Sequence, residues 1–185
     1  MKNIVKFNTK VCHSIRVKSL IFESQHQEVL RMALDTDTRN KSITSLLNGT
    51  NKALQTVVPI DYSISKPVLD NGLLLVQYGV FIGITGDIKG KLVLIGEKDL
   101  FSSLGQVMFG TEVNGEMLVS FSGELGNMIA GNLSTHVVQD GLNIDITAPS
   151  VITGDAKIQG HNLGIQLISS FKDVGDLNIH LLLDD

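Results

Sequence analysis

The sequence predicts an α+β domain: a largely antiparallel β-sheet covered on one face by two long α-helices. Three observations carry this expectation. Two stretches, Lys98–Phe109 and Glu116–Val138, show helical apolar periodicity and stop at glycines. Segments rich in apolar and β-branched residues lie before and after them and read as strands. Helices and strands also come in blocks, with several strands joined by tight turns.

In chain order, residues 1–40 read as an N-terminal extension, in which Ile15–Ile21 suggests a strand and Gln25–Leu34 a short helix. The domain proper is expected over 41–185. Ser42 opens a helical segment reaching about Val57, although Asn48-Gly49-Thr50-Asn51 are all poor helix formers, and Pro59 ends it. Ile60–Lys66 alternates as a strand and is followed by a turn at Asp70-Asn71-Gly72. Leu73–Ile84 is a long strand. Gly86-Asp87-Ile88-Lys89-Gly90 turns it back into Lys91–Ile95. After the two long helices come Asn143–Thr147, a short extended piece following Pro149, then Leu163–Phe171 and Leu177–Leu183.

Composition narrows the function classes. The chain has 185 residues, 43% of them hydrophobic, enough for one domain with a core. No apolar run approaches the ~18–20 residues of a membrane span. The N-terminus lacks the pattern of a secretory signal. A single cysteine, Cys12, rules out an internal disulfide framework and fits a reducing compartment, so the expected location is the cytoplasm. Up to Lys41 there are eight basic and four acidic residues; beyond it there are seven and fifteen. An acidic body repels nucleic acid phosphates, so no nucleic-acid partner is expected.

The helix Glu116–Val138 carries the functional argument. On an ideal wheel with Ser120 at 0°, Leu118, Phe121, Leu125, Met128, Ile129 and Leu133 fall between about 80° and 220°, one apolar stripe for a core. Ser120, Glu124, Asn127 and Gly131 fall within about 40° of 0°, on the opposite side. Three residues apart, Glu124 and Asn127 stand side by side on adjacent turns. The arc has no long basic side chain, and Gly131 costs about 1 kcal/mol against Ala in a helix interior. Small Ser120 and Gly131 would let another protein's backbone approach the pair.

Ser120, Glu124, Asn127 and Pro149 match, in order and spacing, the signature of the CheC/CheX phosphatases. The text Glu124-Leu125-Gly126-Asn127-Met128-Ile129-Ala130-Gly131-Asn132 resembles that family's motif helix. Gly83-Ile84-Thr85-Gly86 resembles the hairpin before it, and Pro149-Ser150-Val151-Ile152-Thr153-Gly154 the segment after it. The similarity runs from about Lys41 to Leu183. One copy of the signature, not two, places the chain on the CheX-like side of the CheC/CheX/FliY phosphatases. The resemblance implies a CheC-like fold and hydrolysis of the aspartyl phosphate of a CheY-type response regulator in chemotaxis. Asn127 would orient the attacking water, and Glu124 would pair with the regulator's phosphate-site lysine. Both are thus candidate catalytic residues, with Ser120 and Gly131 as partner-binding neighbours and Pro149 structural. The chain itself would hold no metal or cofactor; Mg²⁺ would belong to the regulator. The resemblance further implies a homodimer with a sheet continued across protomers, for which Leu177–Leu183 offers an edge. The rival reading is a non-catalytic adaptor for a receiver domain or a flagellar switch component.

Other patterns carry less. Gly83-x-x-Gly86-x-x-x-Gly90-Lys91 has hairpin glycines and not phosphate-loop spacing. The five histidines show no pair at metal-ligand spacing. His136 falls at about 160° on the wheel, which makes it a partly buried helix-end residue. Asp184-Asp185 reads as a solvated tail.

Overall fold

The computed structural model describes residues 36–70 and 72–184. The strand and helix expected at 15–21 and 25–34 lie outside them. Contacts divide the chain into two compact units, Met1–Ile43 and Thr44–Asp185. In the first unit, the described residues are helical, with an exposed Asp37–Lys41 ion pair of 3.3 Å one turn apart.

Helix α1 covers described residues 36–57 without a break, passing straight through Asn48-Gly49-Thr50-Asn51. Tertiary packing explains why these poor helix formers are tolerated. Gly49 is buried against α3 (Gly115–Gln139), where a Cβ would come within 2.8 Å of the Leu133 side chain. Thr50 is fully buried and satisfies its hydroxyl by donating to the Leu46 carbonyl at 2.7 Å. Ser45 donates to the Asp140 carboxylate at 2.7 Å, tying α1 to the far end of α3.

Eight strands form one sheet: β1 (Tyr62–Ile64), β2 (Val68–Leu69), β3 (Leu74–Gly86), β4 (Gly90–Ile95), β5 (Ile144–Ile146), β6 (Ser150–Ile158), β7 (Leu163–Phe171) and β8 (Gly175–Leu183). The order is β1-β7-β8-β4-β3-β5, with β2 also on β7 and β6 also on β3, and every pairing is antiparallel. Helices α2 (Lys98–Phe109) and α3 lie between β4 and β5 in the chain. α2 stops at Gly110, whose φ of 73° is left-handed and costs a glycine nothing. The predicted α+β class with an antiparallel sheet is what the chain adopts.

Three elements differ from expectation. Leu177–Leu183 is no edge: β8 lies between β4 and β7. Its closing Leu181-Leu182-Leu183 run, buried throughout, is the mark of a strand covered on both faces. The piece after Pro149 is a nine-residue strand, β6, whose outer side pairs with no strand among the described residues. And the Asp184 tail is engaged, accepting from Lys91 Nζ at 2.7 Å while its N–H bonds the Lys89 carbonyl.

Both faces of the sheet centre are buried. Tyr78, Val80 and Ile82 face the helices: the Tyr78 ring meets Phe101 of α2 edge-on at 5.2 Å, and Gly126 of α3 lies over Val80 and Ile82. Two residues earlier, Val76 joins a second core with Leu74, Val93 and Leu182, flanked by Phe81, Ile95 and Ile158. Regular alternation would put Val76 and Tyr78 on one face; the register shift between them sends them to opposite faces. Leu74 is five residues beyond Gly79, the last β3 residue paired with β4, about 17 Å along an extended strand. The β3–β6 ribbon beyond the shift thus shares this second core with Val93 of β4 and Leu182 of β8.

Beside this second core, His180 of β8 is 3% exposed, with its Nδ1 4.0 Å from an Asp70 oxygen. Burial lowers its pKa from the usual 6.5; Asp70 partly opposes this and His161 adds to it. The unfolded chain therefore takes up this proton near pH 6.5 while the folded chain does not until lower pH. Stability is expected to fall as pH drops from about 6.5 through the folded-state value. A Tm series from pH 7.5 to 5 checks this. His180→Leu should flatten the slope, and an unchanged slope would place the acid sensitivity elsewhere.

Candidate functional site

The site is built on α3, which is clamped to the sheet from below. Of the expected stripe Leu118, Phe121, Leu125, Ile129 and Leu133 are buried and Met128 is only half-buried, while Ala130 and Val137, at about 280° and 260° on the wheel, are buried as well and widen the packed face beyond it. Ser122 is fully buried; its hydroxyl donates to the Leu118 carbonyl at 2.7 Å and accepts from the Tyr78 hydroxyl at 2.9 Å. This short buried network fixes the rotation of α3 over β3, because leaving either hydroxyl unpaired would cost about 1–3 kcal/mol. Gly126 lets the helix approach closely: a Cβ there would lie 2.6 Å from Val80 Cγ1.

With the underside fixed, the opposite arc is outward. Ser120, Glu124 and Asn127 are exposed and Gly131 is half-buried, with open space where its Cβ would be. Among the described residues, neither the Glu124 nor the Asn127 side chain has a hydrogen-bond or ion-pair partner. Three positions apart on one helix face, the two have Cβ atoms about 5–6 Å from each other. Pro149 lies immediately before β6, held near the hairpin by Thr147, whose hydroxyl accepts from Gly83 N–H at 2.8 Å. That position suits a strand-start residue.

A trough of about 1080 Å³ lies at the register shift of β3, bordered by Gln77, Ile95, Lys98, Asp155, Lys157 and Asn178. Neither Glu124 nor Asn127 borders this trough at the sheet. Among the described residues no group of three or more His, Cys, Asp or Glu side chains is arranged to hold a metal. No helix there is long and apolar enough to cross a membrane. Fold and face together define an α+β domain that presents an acid and an amide on the outward side of a helix packed on the sheet.

Residues 78–167 match the family model described as chemotaxis phosphatase CheX. The chain is 31% identical over 144 residues to the CheY-P phosphatase CheX of Thermotoga maritima, covering 75% of this chain and 93% of that protein. Among solved structures, a CheC-like superfamily protein from Shewanella sp. PV-4 superposes with a TM-score of 0.65 at 23% identity, over 78% of this chain and 98% of the other. The CheX of a CheX–CheY–BeF₃–Mg²⁺ complex from Borrelia burgdorferi gives 0.64 at 20% identity, over 77% and 97%. The chain belongs to the CheX family of chemotaxis phosphatases, and its fold is the CheC-like one.

Sequence reasoning overlooked the apolar residues bordering the arc. Phe109, Met117 and Val138 are 58%, 56% and 49% exposed. Met117 and Val138 sit on the wheel at about 60° and 0°, so the same construction that found Glu124 and Asn127 held the signal.

Proposed function

We propose that the chain hydrolyses the aspartyl phosphate of a CheY-type response regulator in chemotaxis signalling. The observation that carries this reading is the outward, unengaged Glu124–Asn127 pair on a helix whose other side is locked to the sheet. The name of the Thermotoga relative, whose substrate is CheY-P, and the CheX–CheY pairing in the Borrelia structure support it.

Phosphoryl transfer asks for positioning and charge stabilisation more than for covalent chemistry. Docked on the receiver, Asn127 inserts its amide beside the phosphoryl group and holds a water in line, the amide oxygen accepting a hydrogen from it. A neutral amide suits the place, because a carboxylate would be repelled by the phosphoryl oxygens. Glu124 pairs with the lysine at the receiver's phosphate site and fixes the register. Ser120 and Gly131 give the partner's backbone room. The Mg²⁺ is the receiver's, and this chain contributes no cofactor of its own. The protein works in the cytoplasm as a homodimer, for which the outer side of β6, nine residues long, is the longest strand edge without a partner among the described residues.

The test is a phosphate-release time course on phosphorylated CheY-type receivers with Mg²⁺. Acceleration over spontaneous loss supports the reading; binding without acceleration would make the protein an adaptor. Glu124→Ala is expected to weaken docking about 30-fold or more, the scale for stranding one member of a desolvated charge pair. Calorimetric titration of the activated receiver at moderate salt checks it, and unchanged affinity would remove Glu124 from the interface.

A further inference from the structure

The apolar residues around the pair are arranged and not scattered. Phe109, at the last position of α2, rests edge-on against Phe121 of α3, with ring centroids 5.4 Å apart at 81°. Phe121 is buried, one turn from both Met117 and Glu124, so the exposed Phe109 ring stands on the flank of α3 beside the N-terminal half of the arc. Met117 is seven residues before Glu124 and about 20° from it on the wheel. Val138 is eleven residues beyond Asn127, again on the arc. The polar pair is thus bracketed by apolar groups along the helix.

The dimensions fit one partner. Met117 and Val138 are 21 residues apart, about 32 Å along an ideal helix. A standard interface buries about 800 Å² on each partner, a disc about 32 Å across. Large apolar side chains left in water on one face mark an interaction surface, and here they share that face with the polar pair.

We infer that Phe109, Met117 and Val138 form the apolar rim of the receiver-docking surface, anchoring the receiver so that its phosphate site meets Glu124 and Asn127. The occupant is a CheY-type receiver domain, because the rim is continuous with the face on which that domain's phosphate is hydrolysed. This inference rests on the phosphatase reading. The anchors act through positioning: Phe109 supplies a rigid aromatic plate held by Phe121, and Met117 an adaptable one. They contribute binding and touch no reacting atom.

The test compares wild type, Phe109→Ser/Met117→Ser and Val119→Ser. Val119 is 40% exposed but lies at about 260° on the same helix, off the arc. Binding is read with a receiver held active by beryllofluoride and Mg²⁺, turnover with phosphorylated receiver, folding by thermal melt and oligomeric state by light scattering. Loss of one or two interface anchors is expected to raise Kd and KM about tenfold or more. The value of kcat at saturation should stay within about twofold, since uniform binding alone is lost, while Val119→Ser behaves as wild type. A folded double variant with wild-type Kd overturns the inference, and a changed oligomer mass beside that Kd would assign the rim to self-association. An equal loss in Val119→Ser overturns it too. If wild type shows neither binding nor turnover with any CheY-type receiver, the phosphatase reading falls first and the rim's role with it. If wild type turns over normally and only the double variant fails to differ, the phosphatase reading stands alone.

Discussion

Asn127→Ala is expected to abolish the acceleration of phosphate loss from the receiver while leaving docking within a few-fold of wild type. The side chain is exposed and has no partner among the described residues, so its removal disturbs no packing. What it removes is the group proposed to hold the water. Losing one preorganised hydrogen-bonding group at a reacting centre costs about 10²–10³ in rate, enough to bring a phosphatase down to the spontaneous rate or near it. Asn127→Asp should do no better: it keeps the shape but puts a negative charge beside the phosphoryl oxygens. A phosphate-release time course beside a binding titration separates the two effects. Wild-type turnover in Asn127→Ala would sink the assignment.

The second large effect is structural and sits one residue away. Gly126→Val is expected to destabilise the domain by about 3 kcal/mol, the upper part of the range for overpacking a core. A Cβ at this position already lies 2.6 Å from Val80 Cγ1, and Val80 is fully buried and, being β-branched, stiff at χ1, so it yields little. The helix must lift from β3, straining the Tyr78–Ser122 hydrogen bond and tilting Glu124 and Asn127 together. At ~2–4 °C per kcal/mol for a domain of this size, Tm should fall by about 6–12 °C. Gly131→Ala is the opposite case on the same helix. With nothing within 4 Å of its Cβ position, it should gain about 0.4–1 kcal/mol. Thermal melts of the two variants check both signs at once; equal shifts would mean that the close approach at Gly126 carries no energy.

What the sequence reveals depends on whether the relevant physics is local. α2 is legible to its ends, because its apolar period and the left-handed Gly110 both lie within the segment. β7 is legible for the same reason, an apolar run bounded by turn residues. The outward arc of α3 follows from helical periodicity alone. α1 is harder: only its contact with Leu133 of α3 makes Gly49 an asset, and no local rule states that contact. β6 is obscured by Thr153, Gly154, Asp155 and Lys157, which are exposed on a strand with an open side. The opposite faces of Val76 and Tyr78 are hidden by a sequence that alternates cleanly through the shift. The chemistry proposed for Asn127 is least local of all, since the phosphate it is proposed to act on belongs to another protein.

The central position of β8 has a consequence for how the chain leaves the ribosome. β4 and β7 are made first, yet each waits for residues 175–183 before its inner edge is paired. Until then the nascent chain carries two open, apolar strand edges, with Leu92, Leu94, Ile165 and Leu167 lacking the neighbours that bury them. Such intermediates are prone to associate with one another. β8 is thus made after both of its neighbours and closes the sheet between them, and an interruption before it would yield sticky fragments in place of a smaller folded domain.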